Sequence, residues 1–315
     1  MRLKLLIPIT LAALFLAWQQ APPFLSDAKR AGQAPVISQP PVPLRVTPAA
    51  TGPKLKVTYF DVGQGDAALI QTPAGQNILV DGGPDERVLE KIGQVLPRAH
   101  YLDAVFLTHP HADHLNGLLA VLRRYSVGQI YYTGVNYDSA GFAAWQNLIE
   151  TKKIPLILVT EPQILSYGPV KLEIIYPDQD LANSVFEAGV SDRVEGAEIN
   201  NTSIVFRLVY GKSKFLFMGD AETEAEKDIL EGGADLDAQV LKVGHHGSHS
   251  STGENFLSAV DPDYAVISVG EDNDYGHPHR RTLRRLERHG VEILRTDLDG
   301  DIEFTSDGER VVYEH

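Results

Sequence analysis

The feature that most constrains this chain is a set of apolar strands that each end in a histidine or an aspartate. "DAVFLTH" ends at His109, "NILVD" at Asp81, "KFLFMGD" at Asp220 and "VLKVGHH" at His245 and His246. Runs rich in β-branched and aromatic residues are typical of buried strands. The pattern predicts that polar side chains are delivered to the edge of a sheet.

The densest of these stretches is "THPHADH", which is followed by the helical pattern "HLNGLLAVLRRY". Alternate positions of an extended loop point the same way, so His109 and His111 can converge on one cation. Asp113 and His114 face the next position, where a second cation would lie ~3.5–4 Å away. The alternative is a set of capping and surface side chains, since Asp113 is well placed to cap the helix. Three histidines in six residues favour metal binding.

The composition limits which metal chemistry is possible. The chain has 315 residues and no cysteine, so thiolate ligands and disulfides are excluded. Imidazole and carboxylate ligands suit zinc, manganese or iron. The first 53 residues hold five of the 28 Lys and Arg residues and one of the 42 Asp and Glu residues, which leaves a net charge of −18 on the remainder. Such a charge disfavours indiscriminate binding to polyanions.

The N-terminal 53 residues differ in composition from the rest. Arg2 and Lys4 precede an apolar run from Leu5 to Trp18, which predicts a signal peptide or an uncleaved anchor over residues 1–20. We therefore expect export, to the periplasm or the outside of the cell or to a membrane-anchored position outside the cytoplasm. Residues 21–53 are rich in Pro, Ala, Gln and Ser and are predicted to be an extended linker.

The folded part is predicted to span residues 54–315. Strand patterns dominate its start, and helical patterns are interleaved with strands in each half. A single sheet cannot easily hold so many strands, so two packed sheets with outer helices are expected. Residues 178–199 are predicted to form a long loop, of a length that is often functional.

Together, these motifs carry a family resemblance. "THPHADH" resembles the H-x-H-x-D-H motif of the metallo-β-lactamase superfamily. "FDVGQGDAALI", "ILVDGG", "LFMGDAE", "LKVGHHGSHSS" and "YGHPH" resemble the C-terminal metallo-β-lactamase-like domain of the ComEC competence family. The resemblance implies an α+β fold, a four-layer αβ/βα sandwich, and hydrolysis with two divalent metal ions, Zn or Mn. It covers most of residues 55–315, and the membrane-spanning competence region of that family has no counterpart here.

For the remaining strand ends, the residues and the resemblance each suggest a role. Asp81 can accept the second N–H of a ligand histidine, or belong to an ordinary strand-to-turn Asp-Gly-Gly. Asp220 occupies the position that the superfamily uses to bridge two metals, and it can also cap the next helix. His245 leaves its strand first and is predicted to be a ligand, with His246 in an outer position.

One turn departs from the superfamily pattern. Many members carry a histidine at a "GHT"-like turn, where this chain has Asn200 and Asn201 in "INNTSIV". One metal site could lack a strong ligand there or take it from elsewhere, such as His277. Asn201 is expected to take an outer, supporting position.

The segment "YGHPHRRTLRRLERHG" adds candidate substrate contacts. Four of its five arginines lie at i, i+3, i+4 and i+7 and share one face of a predicted helix, where they can contact phosphates or simply be solvated. His277 could protonate a leaving group or complete a metal site, and Asp113 could orient the attacking water. The substrate-binding set is predicted to be Ser248, Arg281, Arg284, Arg285 and Arg288.

Three functions follow from these residues. The first is a metal-dependent phosphodiesterase or nuclease that acts on DNA outside the cytoplasm, with water activated by metal as the nucleophile. The second is another hydrolase of the same fold, for a small ester such as a phosphorylcholine ester or for a lactam. The third is a non-catalytic binding module with a structural metal, which a closed four-ligand site would favour. The N-terminal segment suggests membrane association, and no protein partner is identifiable.

Overall fold

The computed structural model describes residues 54–182, 184–187 and 195–314. All of them fall within one compact unit, Val42–His315. The predicted signal or anchor segment and the linker lie outside the described residues, and the domain boundary at residue 54 stays a prediction. Among the described residues no helix is both long and apolar enough to span a bilayer.

The described part of the chain alternates strands and helices. The strands are β1 Leu55–Tyr59, β2 Ala68–Gln71, β3 Asn77–Val80, β4 Tyr101–Leu102, β5 Ala104–Phe106, β6 Ser126–Val127, β7 Ile130–Tyr132, β8 Asn136–Asp138, β9 Leu156–Leu158, β10 Gln163–Tyr167, β11 Val170–Tyr176, β12 Val185–Glu187, β13 Val205–Tyr210, β14 Ser213–Phe217, β15 Val240–Lys242, β16 Tyr264–Ile267, β17 Glu292–Arg295, β18 Ile302–Ser306 and β19 Val311–Glu314. The helices are α1 Arg87–Val95, α2 Ala112–Arg124, α3 Ala140–Lys152, α4 Glu195–Asn200, α5 Thr223–Glu231, α6 Glu254–Val260, α7 Arg280–Arg288 and α8 Thr296–Asp299, and Gly244–Gly247 is a 3-10 turn.

Two large mixed sheets form the centre. The first has the order β19-β18-β1-β2-β3-β5-β7-β9 and the second the order β10-β11-β13-β14-β15-β16-β17. Within them, β3 and β5 are parallel neighbours, and so are β14 and β15. Parallel neighbours end at the same edge of a sheet, so the polar residues that follow these four strands are brought together.

The sheets pack face to face through aromatic side chains. Tyr59 stacks on Phe217 with ring centroids 5.5 Å apart, and Phe106 lies 5.4 Å from Phe206. These contacts join strands of the first sheet to strands of the second, and all four rings are buried. Aromatic pairs of this kind add stabilisation beyond the apolar area that they bury.

The outer face of each sheet is covered by helices. Val88, Leu118 and Trp145 of α1, α2 and α3 belong to the apolar cluster on the first sheet. Phe256 and Leu286 of α6 and α7 belong to the cluster on the second sheet. The order of layers is helix, sheet, sheet, helix, which confirms the predicted αβ/βα sandwich.

The region predicted as a loop over residues 178–199 contains short regular elements where it is described. β12 pairs in parallel with β8, and α4 ends at Asn200. β12 forms because its backbone pairs with β8, which lies about 50 residues earlier in the chain. A segment of three residues is too short for its hydrophobic period to predict a strand.

Candidate metal centre

The "THPHADH" stretch forms the turn from β5 into α2. His109 and His114 are fully buried, and His111 sits at the helix N-cap with extended backbone angles. The alternative in which Asp113 caps the helix does not agree with the structure, because α2 begins at Ala112 and Asp113 lies in its first turn. The Asp113 carboxylate instead reaches His246, with 3.1 Å between Oδ2 and Nε2.

Asp81, after β3, fixes the orientation of this turn. Its Oδ1 accepts the backbone N–H of Thr108, and its Oδ2 lies 2.8 Å from both the Thr108 hydroxyl and His114 Nδ1. Asp81 therefore holds Nδ1 of His114 and leaves its Nε2 facing Asp220. Support of a metal ligand by Asp81 stays a prediction. The glycine that follows is required by space, since a Cβ on Gly82 would lie 2.5 Å from the backbone nitrogen of Leu118.

Asp220, three residues after β14, lies at the centre of the site. Its Oδ2 is 3.3 Å from His114 Nε2, 3.5 Å from His246 Nε2 and 3.7 Å from His109 Nε2. Its backbone N–H donates to the hydroxyl of Ser203. Burial opposes ionisation, but the neighbouring histidines outweigh it and hold the pKa of Asp220 well below its ordinary value.

The two adjacent histidines after β15 point in different directions. Both lie in the left-handed region, with φ of 46° at His245 and 51° at His246, which is costly for residues other than glycine. His246 Nδ1 donates to the Ser268 carbonyl at 2.9 Å, so its Nε2 is left to face Asp113 and Asp220. His245 turns away, and its Nδ1 lies 2.8 Å from the Glu222 carboxylate. The structure thus exchanges the positions that the sequence assigned to this pair: His246 joins the cluster and His245 lies outside it.

Two groups of side chains share Asp220. Possible ligand atoms lie within 4.8 Å of one another in the first group, made up of His109, His111 and Asp220, and in the second, made up of Asp113, His114, Asp220 and His246. We call them the three-residue group and the four-residue group.

Buried atoms without partners test whether a metal fits these groups. His109 Nε2, His114 Nε2 and Asp220 Oδ1 are buried and have no hydrogen-bond partner among the described residues. Leaving such atoms unpaired is costly, so their convergence in two small groups fits cation binding. Burial lowers the pKa of His109 well below its ordinary value, which keeps its ring neutral, as a metal ligand must be.

A third cluster of possible ligand atoms shares His114 with the four-residue group, and a lysine of the protein compensates its negative charge. Asp66, Asp81 and His114 also lie within ligand distance of one another. The Lys242 ammonium, however, lies 2.7 Å from Asp66 Oδ2, and the side chains of both residues are less than a tenth exposed. Asp66 Oδ1 lies 3.3 Å from His246 Nδ1, so the pair supports a member of the four-residue group.

A small cavity lies against this ion pair. Its volume is about 10 Å³, and Tyr59, Lys242 and Ser268 are among its lining residues. The hydroxyls of Tyr59 and Ser268 are buried and have no partner among the described residues. A polar cavity of this size has room for about one water molecule. Asp66 and Lys242 lie within the motifs that carry the family resemblance, but no local spacing in the sequence indicates that they pair.

The turn that replaces the superfamily histidine has a supporting role. Asn200 Nδ2 donates to Glu222 Oε1 at 3.0 Å, and Asn201 Oδ1 accepts the backbone N–H of Glu222. Neither asparagine belongs to the two groups, and the outer, supporting position of Asn201 stays a prediction. Ser203 reaches further inward, with its hydroxyl 3.4 Å from His109 Nδ1.

His277 stands at the edge of the site and belongs to neither group. Its ring centroid is 5.3 Å from that of His245, and its Nδ1 is buried without a partner among the described residues. Burial, reinforced by the nearby histidines, lowers the pKa of His277 to about 4. The neutral ring at neutral pH does not favour the predicted role as proton donor, and ligation by His277 stays open.

The predicted arginine face of α7 divides into two pairs. Arg285 donates to the carbonyls of Ser251 and Thr252, and Arg288 lies 3.0 Å from Glu254. Arg281 and Arg284 are exposed. Thr282 of α7 donates to the Ser248 carbonyl at 2.7 Å, and this bond holds the helix beside the turn that presents His246. Arg281 and Arg284 are therefore the pair that is well placed for an added phosphate.

Comparison with known proteins agrees with this geometry. Residues 60–271 match the metallo-beta-lactamase superfamily, and the chain therefore belongs to that superfamily, whose members are usually metal-dependent hydrolases. The metallo-beta-lactamase fold protein YhfI from Bacillus subtilis has the same fold, with a TM-score of 0.52 and 16% identity over 80% of this chain and 99% of its own.

The curated proteins that this chain resembles include competence proteins. The chain is 30% identical over 267 residues to ComE operon protein 3 of Bacillus subtilis, and 32% identical over 251 residues to competence protein ComA of Neisseria gonorrhoeae. Each alignment covers 79% of this chain, but only 33% and 32% of those proteins. The chain thus spans about a third of the length of these relatives.

Proposed function

We propose that this protein is a metal-dependent phosphodiesterase that cleaves DNA outside the cytoplasm. The observation that carries the proposal is that Asp220 is shared by two groups of buried ligand atoms, which suits a pair of divalent cations, zinc or manganese. Such cations, when bound, polarise a phosphoryl oxygen and make water a nucleophile at neutral pH. Phosphodiesters suit two cations because both the attacking and the leaving oxygen gain stabilisation.

The residues around the groups support a phosphate substrate. His109, His111 and Asp220 would hold one cation, and Asp113, His114, Asp220 and His246 the other. Ser248 is buried two residues after His246, with its hydroxyl 2.9 Å from that of the half-buried Ser250, and the pair would supply a hydrogen-bond donor to a phosphate. Arg281 and Arg284 supply exposed positive charge in a strongly acidic protein. The similarity to competence proteins supports DNA as the polyanion.

The test is a cleavage assay on the purified full-length chain. Metal content is measured first, and plasmid DNA, oligonucleotides, small phosphodiesters, phosphorylcholine esters and a β-lactam are then offered with Mn²⁺ or Zn²⁺. We expect cleavage of DNA, lost in Asp220→Ala and His109→Ala, both of which should keep their circular dichroism spectra. Turnover of a phosphorylcholine ester or a lactam with no cleavage of plasmid DNA or oligonucleotides would instead support the small-ester or lactam hydrolase.

The non-catalytic alternative makes a different prediction in the same assay. A binding module would retain metal and bind DNA without turning over any substrate. The number of candidate ligands exceeds that of a closed four-ligand structural site, which favours catalysis.

We also propose that residues 1–20 direct export, with membrane association if the segment is not cleaved. A reporter fused after Ala21 should appear outside the cytoplasm, and deletion of residues 2–18 should retain it inside. Equal cytoplasmic signal from both fusions would contradict export.

A further inference from the structure

An exposed aromatic ring stands at the rim of the site. Tyr275 has 72% of its surface exposed. Its ring stacks on His277 at 5.9 Å with an interplanar angle of 16°. His277 in turn contacts His245, whose ring lies 6.1 Å from that of His246. Three ring-to-ring contacts therefore connect Tyr275 to a member of the four-residue group.

The loop that carries Tyr275 is firmly attached to the site. Asn273 donates from Nδ2 to the carbonyls of Gly270 and His277, and its Oδ1 accepts the His277 N–H at 2.9 Å. The backbone N–H of His279 donates to the Gly247 carbonyl at 2.8 Å. These bonds fix the loop against the turn that presents His246, so the position of the Tyr275 ring is set relative to the site.

A ring held in this way has the properties of a stacking platform. One face is backed by His277, and its large exposed area is accessible from the solvent. Proteins that bind single strands place nucleobases on such rings, because every base has a π-face. A phosphodiester at the two groups would bring the base of a neighbouring nucleotide to the rim where Tyr275 lies.

We propose that Tyr275 stacks on a nucleobase next to the scissile phosphodiester and so selects for strands whose bases are unpaired at that point. The proposal rests on the proposed nuclease function and gives it a specificity residue. His277 is the positioning residue that backs the ring. A base held in a duplex stack cannot reach this platform without being unstacked, which costs free energy.

The test compares kcat/KM values of the full-length protein with Mn²⁺ on three substrates. They are a single-stranded oligonucleotide, the same oligonucleotide with one abasic position next to the cleaved bond, and methyl para-nitrophenyl phosphate, which has no base. We expect Tyr275→Ala to lower kcat/KM on the intact oligonucleotide by about 5- to 150-fold, the range typical of one lost base stack. Tyr275→Phe and Tyr275→Trp should retain most of the activity.

Two comparisons separate stacking from a structural effect. Turnover of the small diester should be unchanged in Tyr275→Ala, and the abasic position should impair the wild type but not impair Tyr275→Ala further, since both changes remove one interaction. Ile164→Ala is the control, because that side chain is 61% exposed and lies on β10, the outer strand of the second sheet.

The unfavourable outcomes are distinct. Oligonucleotide cleavage unaffected by Tyr275→Ala, or an equal loss on all three substrates, would overturn the stacking role and leave the nuclease function intact. Failure of the wild type to cleave any oligonucleotide would overturn the proposed function and the stacking role with it.

Discussion

His246 Nε2 lies 3.1 Å from Asp113 Oδ2, although 133 residues separate them along the chain. Asp113 comes from the first helical turn after β5 in the first sheet, and His246 from the turn after β15 in the second. The four-residue group therefore exists only when both sheets have packed. Metal affinity at this group reports on tertiary structure as well as on ligand identity.

The first prediction separates the two adjacent histidines. His246→Ala removes an Nε2 atom from the four-residue group, so we expect one equivalent of metal to be lost. His245→Ala should retain the full metal content, because that ring faces Glu222. Elemental analysis and calorimetric titration of the two purified variants measure this difference. Metal loss in His245→Ala but not in His246→Ala would restore the assignment made from the sequence.

The second prediction concerns the buried ion pair beneath the site. Lys242→Met leaves Asp66 buried without its counter-charge, and breaking such a pair by removing one partner costs about 3–5 kcal/mol. Asp66→Asn combined with Lys242→Met removes both charges and should recover most of that free energy of unfolding. Urea denaturation of the two single variants and the double variant gives the coupling energy.

The same set of proteins tests what Lys242 does for the site. If the ion pair only compensates charge, the double variant should bind metal at the four-residue group nearly as the wild type does. A double variant that is as unstable as Lys242→Met would show that the lysine stabilises the fold by packing alone.

The sequence predicted the fold because its apolar patterns are long and regular. Tyr59, Phe106 and Phe217 lie in runs of β-branched and aromatic residues, and such runs are buried wherever two sheets pack. The ligand assignment at residues 245 and 246 depended on something else. Left-handed backbone angles at both positions decide which ring faces inward, and no periodicity encodes them.

Contacts between segments that are distant in the chain could not be predicted from the sequence either. The spacing of the arginines on α7 correctly indicated one helix face, but Glu254, which pairs with Arg288, belongs to a different helix. Asp66 and Lys242 meet only because β15 packs opposite the turn that precedes β2. Local patterns predict which residues share a face, and tertiary packing decides what that face contacts.

The third prediction uses a buried carboxyl group on α5. Burial raises the pKa of Glu226 to about 7 from an ordinary value of 4.5, against the hydrogen bonds that its carboxylate accepts from the N–H groups of Thr252 and Gly253. The unfolded chain loses this proton near pH 4.5 and the folded chain near pH 7. The contribution of Glu226 to stability is therefore present below about pH 4.5 and is lost as the pH rises through 7.

Glu226→Gln removes this titration. The free energy of unfolding of the wild type should fall by up to about 3 kcal/mol more than that of the variant between these pH values. Urea denaturation at a series of pH values measures the difference in slope, which is independent of any constant cost of the substitution. Parallel slopes for the two proteins would mean that Glu226 ionises in the folded state as it does in the unfolded chain.

The last prediction concerns the arginines of α7 and the recognition of a polynucleotide. Each phosphate that a protein neutralises makes the slope of log affinity against log salt steeper by ~0.7–0.9. Arg281→Ala with Arg284→Ala removes two exposed guanidinium groups of α7, so DNA affinity and cleavage should fall and the salt slope should flatten by up to ~1.4–1.8. Arg288→Ala should have a smaller effect, because Glu254 already neutralises that side chain.

Turnover of bis(para-nitrophenyl) phosphate should hardly change, since a small diester reaches only the metal groups. Arg98→Ala with Arg310→Ala is the matched control, as both residues are exposed and lie outside α7 and outside the turns that present the two groups. Equal losses on both substrates would make the α7 pair structural, and no loss on either would leave it a solvated face.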